Sequence, residues 1–189
     1  MALTLASMQA RMRSVFLAFL VWLAGVAPAA AEVAAAAPGS ISLQAEAIVA
    51  ATPEQAWRAL TRIQNWWSNA HTYSGDASRL RLDARAGGCW CERWDGQSVE
   101  HARVVLVMER DGVRTLRVLG GLGPLQEMGV SGVLTFVVAP DPQGARITMT
   151  YRVSGDPRLS LDQIAAGVDA VLMEQFGRLG RYAASGSPD

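Results

Sequence analysis

The sequence predicts an α+β domain in which a curved antiparallel sheet of about seven strands wraps around one long C-terminal helix. Three observations predict it. Six segments between Leu80 and Val153 alternate with a period of two and are mostly separated by short turn signals. A helical period of three- and four-residue steps runs from Leu161 to Tyr182. Between the first strand and this sheet lie two short helical segments, so the order is strand, two short helices, six strands, long helix.

The start of the chain reads as an export signal over residues 1–31. Arg11 and Arg13 precede an apolar run, Ser14 to Val26, and the small residues Ala29 and Ala31 suit cleavage after Ala31. The run is too short for a comfortable membrane span, so no stable span is expected once the signal is removed. Residues 32–40, "EVAAAAPGS", read as a small-residue linker, residues 41–183 as the domain, and residues 184–189 as a disordered tail. The expected location is periplasmic or secreted.

Ser42 to Ala50 reads as the first strand. Thr52, Pro53 and Gln55 form an N-cap, a first-turn proline and a capping-box partner for a helix through Leu60. "IQNWWSNA" reads as a second short helix carrying Trp66 and Trp67. The later strands are Leu80–Arg85, Cys89–Trp94, Val99–Met108, Val113–Leu119, Gly132–Val138 and Arg146–Val153, with "GGLGPLQEMGV" at 120–130 as a loop. Ser160 and Gln163 read as a second capping box, opening the long helix. One helix cannot fill the concavity of a strongly curved sheet, and the leftover space is a candidate pocket.

Charge and composition exclude several functions. The chain has 17 basic and 17 acidic residues, every basic one an arginine; loss of Arg11 and Arg13 leaves a net charge of −2. No basic excess points to nucleic acid. Without lysine, Schiff-base chemistry and a lysine general base are excluded. On a regular strand, Cys89 and Cys91 would have Cα atoms about 6.5–7 Å apart, at the upper edge of disulfide geometry, so two unbridged thiols are expected unless the strand kinks.

The layout resembles the helix-grip fold of the SRPBCC (START-like) superfamily, closest to its heat-shock-ATPase activator-like and polyketide cyclase-like branch. The residues that carry the resemblance are "ATPEQAWRALTRIQNWWS" (51–68), "LDARAGGCWCERWDG" (82–96), "VEHARVVLV" (99–107), "LGPL" (122–125) and "RLGRY" (178–182). It covers about residues 42–183. It implies a cavity between sheet and C-terminal helix that takes a small hydrophobic molecule, lipid-like or aromatic.

Period two divides the strand at 89–94. Cys89, Cys91 and Arg93 share one face; Trp90, Glu92 and Trp94 share the other, with His101 of the next strand. Burial of two tryptophans favours that second face as the inner one, although Ala102, Val104, Leu106 and Met108 then make an unusually apolar outer face. The expected ligand contacts are Trp67, Tyr73, Trp90, Glu92, Trp94, His101, Leu125, Met128, Met149, Tyr151, Ile164, Val168 and Leu172. Glu92 and His101 are also a candidate acid–base pair for a cyclase- or hydrolase-type enzyme. A chaperone-cofactor role is a third alternative. Cys89 and Cys91 supply two sulfurs while His101 faces away, so neither a metal nor another cofactor is expected. The oligomeric state stays open.

Overall fold

Four two-residue turns tie neighbouring strands into hairpins. Asp95-Gly96 and Asp111-Gly112 have positive φ at both positions, as the tight hairpin turn that matches strand twist requires. The computed structural model describes residues 32–189, so the expected export signal lies outside the described residues.

The strands are β1 (Glu32–Ala37), β2 (Ser40–Val49), β3 (Leu80–Leu82), β4 (Cys89–Trp94), β5 (Gln97–Arg110), β6 (Val113–Leu119), β7 (Ser131–Asp141) and β8 (Gly144–Ser154). They form one antiparallel sheet in the order β1-β2-β8-β7-β6-β5-β4-β3. Helix α1 spans Pro53–Thr61 and α2 spans Leu161–Ser185. Helix α2 lies against β1, β2 and α1. The core between them includes Leu43, Ile147, Met149, Leu60, Leu161 and Leu179. This is the expected α+β helix-grip arrangement, with eight strands rather than seven.

The additional strand corrects the linker reading. Residues 32–37 pair along β2 through the Pro38-Gly39 turn. Alanines carry no amphipathic signal, so their pairing left no pattern in the sequence. The C-terminal residues are also not a free tail: Arg178 pairs with Asp189, and Arg181 Nε donates to Pro188 O at 2.7 Å.

The first capping box forms as read. Thr52 Oγ1 accepts from Gln55 N at 3.2 Å, and Gln55 Oε1 accepts from Thr52 N at 2.8 Å. The second does not: Ser160 takes a left-handed conformation, φ 52°, and makes no side-chain cap. The second short helix is also corrected. Ile63–Asn65 and Asn69–His71 are single 3₁₀ turns, and Trp66 and Trp67 lie between them. Trp66 packs into the core and Trp67 turns toward the cavity described below.

A β-bulge explains half of the apolar outer face: Ala102 and Val104 turn inward, while Met108 stays exposed. The register of β4 with β5 shifts between Trp90 and Cys91, so Trp90 opposes Ala102, Cys91 opposes Glu100, and His101 is the extra residue. Beyond this shift Ala102 and Val104 point inward and are buried. A second shift lies between Val104 and Leu106. Past the second shift the strand end is apolar and exposed, at Val105, Val107 and Met108.

Candidate functional site

The site begins with the sharp entry into β4. Gly87 has φ +81°, and a Cβ on Gly88 would collide with Asp83 O, so both glycines are needed for the chain to turn back. After that turn β4 alternates, sending Trp90 and Glu92 inward and Arg93 outward. The bulge in β5 then brings His101 beside them. His101 Nε2 lies 3.0 Å from Glu92 Oε2.

Glu92 is fully buried, and its carboxylate is held by three donors. Ser74 N donates at 2.5 Å, Tyr73 N at 3.1 Å, and the His101 ring supplies the third. Burial presses its pKa upward, but the hydrogen bonds from Ser74, Tyr73 and His101 outweigh it and hold the carboxyl below its usual value. His101 moves down as well, because burial disfavours its cation more than Glu92 favours it. At neutral pH the pair is a carboxylate and a neutral imidazole. A carboxylate only accepts, so Nε2 carries the proton and Nδ1 is left as an acceptor.

Beside this pair opens a cavity of about 770 Å³. Trp67, Trp90, Leu125, Tyr151 and the N-terminal half of α2 (Ile164, Gly167, Val168, Val171, Leu172) form its apolar walls. Trp67 and Trp90 meet edge to face, ring centroids 4.9 Å apart, and fix each other. Tyr151 is buried at the back, donating to Gly120 O at 2.9 Å and accepting from Leu122 N at 3.1 Å. Burial pushes its phenol up to about 12 despite the Leu122 N–H. Residues 70–73, 122–124, 127 and 128 add to the lining. His71 Nε2 bridges to Glu174 of α2 at 3.0 Å, and Tyr73 Oη reaches Gly123 O at 3.4 Å across the rim.

Ten of the expected contact residues line this cavity: Trp67, Tyr73, Trp90, His101, Leu125, Met128, Tyr151, Ile164, Val168 and Leu172. Three do not. Glu92 stands behind His101, sealed by its three donors. Trp94 pairs with Gln97 at the hairpin end and falls outside the cavity. Met149 is in the packed core, opposite Ala45 and Phe136. His71, a rim candidate from its place after the tryptophans, lines the cavity too; Gln163 and Gly167 are among the lining residues outside the expected set. Gly167 has no apolar signature, yet a Cβ there meets nothing within 4 Å, which is how a helix leaves space for a guest.

The cysteines are bridged, which corrects the expectation of free thiols. Their Cα atoms lie 5.4 Å apart, closer than on a regular strand and within disulfide range, next to the register shift at Trp90/Cys91. Among the described residues the one cluster of possible metal ligands is Cys89, Cys91 and Glu100, and its sulfurs are joined to each other.

Comparison with known proteins agrees with this geometry. The sequence profile of the family described as polyketide cyclase/dehydrase and lipid transport matches residues 40–184. No curated protein matches the chain. Among solved structures, a hypothetical protein of Helicobacter pylori is 14% identical with a TM-score of 0.52, covering 78% of this chain and 89% of its own. A protein of unknown function from Staphylococcus aureus is 13% identical with a TM-score of 0.50, covering 76% and 91%. At these identities the likeness shows the fold.

Proposed function

Since the chain belongs to the polyketide cyclase/dehydrase and lipid transport family, within the SRPBCC superfamily, we propose that it binds one small hydrophobic molecule, lipid-like or aromatic, between the sheet and α2. The observation that carries this reading is the cavity of about 770 Å³, a size that holds a small organic guest. Its walls are mostly apolar, and two of the residues that line it, Trp90 and His101, carry polar ring atoms. Trp90, which lines the cavity, keeps a buried indole N–H with no hydrogen-bond partner among the described residues. His101 offers Nδ1 as an acceptor. A guest with an apolar body and one polar end suits such a lining.

The test uses the neutral fluorophore N-phenyl-1-naphthylamine with the full-length protein, followed by displacement with fatty acids and polycyclic aromatics. Saturable binding is expected for the wild type. Gly167→Phe fills the cavity, and in helical propensity it does not lose to glycine. It should stay folded and lose binding. A wild type without saturable binding, or a folded Gly167→Phe protein that binds equally well, rejects the reading.

A second reading is favoured by the Glu92–His101 pair, since its imidazole lines the cavity. His101 Nδ1 would take a proton from the guest while Glu92 stabilises the cation that forms. A panel of cyclisable carbonyl compounds and esters tests this: Glu92→Gln should abolish turnover while retaining guest binding. Retained turnover removes the acid–base role.

We also infer export. The basic then apolar start and the bridged cysteines support it, and cleavage after Ala31 would leave Glu32, the first residue of β1, at the new N-terminus. The intact mass of the protein recovered from the cell envelope checks the cleavage position; an uncleaved cytosolic product contradicts it.

A further inference from the structure

On the outer face of the sheet, opposite the guest cavity, lies a second concavity of about 410 Å³, lined by Ser78, Arg79, Arg81, Cys91 and Arg93. Its composition follows from register. Arg81 of β3 is directly opposite Cys91 of β4. Arg93 stands two residues along the same strand and Arg79 lies just before β3, so three arginines line one groove with a sulfur-bearing residue.

Their charges are only partly balanced. Arg79 Nε is 3.4 Å from Asp76 Oδ2. Arg81 spends its hydrogen bonds on the carbonyls of Ser78 and Leu80, which leaves its charge unmatched. Arg93 is exposed and has no ion-pair partner among the described residues. A further acid, Glu100, has its carboxylate within 4.8 Å of both sulfurs, and its charge is balanced by Arg103. The groove thus carries two guanidinium groups in surplus, next to a disulfide.

We propose that this groove takes a small acidic thiol, a molecule with one sulfhydryl and one or more carboxylates, and that the Cys89–Cys91 bridge exchanges with it. The arginines hold the carboxylates and raise the local concentration of thiolate. The thiolate attacks Cys91 Sγ, forming a mixed disulfide, and the Sγ–Sγ bond breaks with Cys89 leaving as thiolate. A second thiol attacks the mixed disulfide, releasing the oxidised dimer of the small thiol and freeing Cys91. Two thiols are oxidised, one protein disulfide is reduced, and the two protons end on Cys89 and Cys91.

The experiment compares three thiols on the oxidised full-length protein: mercaptosuccinate (two carboxylates), 2-mercaptoethanol (neutral) and cysteamine (cationic). Bridge opening is read by alkylation and intact mass, and each rate is expressed per thiolate. Mercaptosuccinate should react on the order of tenfold faster than cysteamine, with the advantage shrinking at high salt. Arg93→Glu, at an exposed position outside the guest cavity, should erase or invert the preference while leaving naphthylamine binding intact. Equal rates for the three thiols, a preference unchanged in Arg93→Glu, or a purified protein with two free thiols would each overturn the proposal.

Discussion

At the scale of single residues, the pair Glu92 and His101 links stability to pH. His101 has its folded pKa below the ordinary 6.5, so the unfolded chain binds the proton more readily. Stability is therefore full above that value and declines as pH falls below it. Glu92 is also depressed below its ordinary 4.5, and adds a second decline as pH falls through and below that value. Thermal melts should thus show Tm falling from pH 7 to 5, and falling again near pH 4. His101→Gln removes the first decline; a wild-type Tm that is flat or rising between pH 7 and 5 contradicts the assignment. Glu92→Ala leaves two backbone donors and the imidazole without their acceptor, and should cost about 3 kcal/mol in a chemical denaturation curve. A loss below about 1 kcal/mol would mean that the carboxylate is not the hub of this segment.

At the scale of elements, close backbone approaches set the rim. A Cβ on Gly132 of β7 would run into Gly120 O and lie 2.6 Å from Tyr151 Oη. Gly132→Ala should therefore cost about 2 kcal/mol, loosen the Tyr151 contacts with Gly120 and Leu122, and weaken guest binding. Denaturation together with the naphthylamine titration measures both effects; unchanged stability would refute the close approach. The same scale separates what could be read from what could not. Strands with alternating patterns and hairpin turns, such as β4 with Asp95-Gly96, were legible because period and turn chemistry agree. The bulge at Trp90/Cys91 was not, since it is one extra residue with no composition of its own. That single irregularity turned Ala102 and Val104 inward and lies beside the bridged cysteines. The edge strand β1 was hidden by alanine.

At the scale of the whole molecule, the sheet curves around α2 without filling the space under the helix's first half. The C-terminal half of α2 packs Phe176 and Leu179 into the core, while Ile164, Val168 and Leu172 face the cavity. Most of those wall residues were readable as the apolar stripe of a long helix. Glycine at 167 was not, because empty space leaves no periodic trace. Two sites on opposite faces of β4 follow: an apolar one behind Trp90 and a cationic one beside Cys91. The most direct test of the first is the set of tryptophan indole N–H resonances in a ¹⁵N-labelled protein titrated with N-phenyl-1-naphthylamine. Trp67 and Trp90 line the cavity, whereas Trp57 and Trp94 stand outside it. Saturable shifts of the Trp67 and Trp90 resonances, with Trp57 and Trp94 unmoved, are the predicted result. Shifts confined to Trp57 or Trp94, or none at all, would contradict a guest site between the sheet and α2.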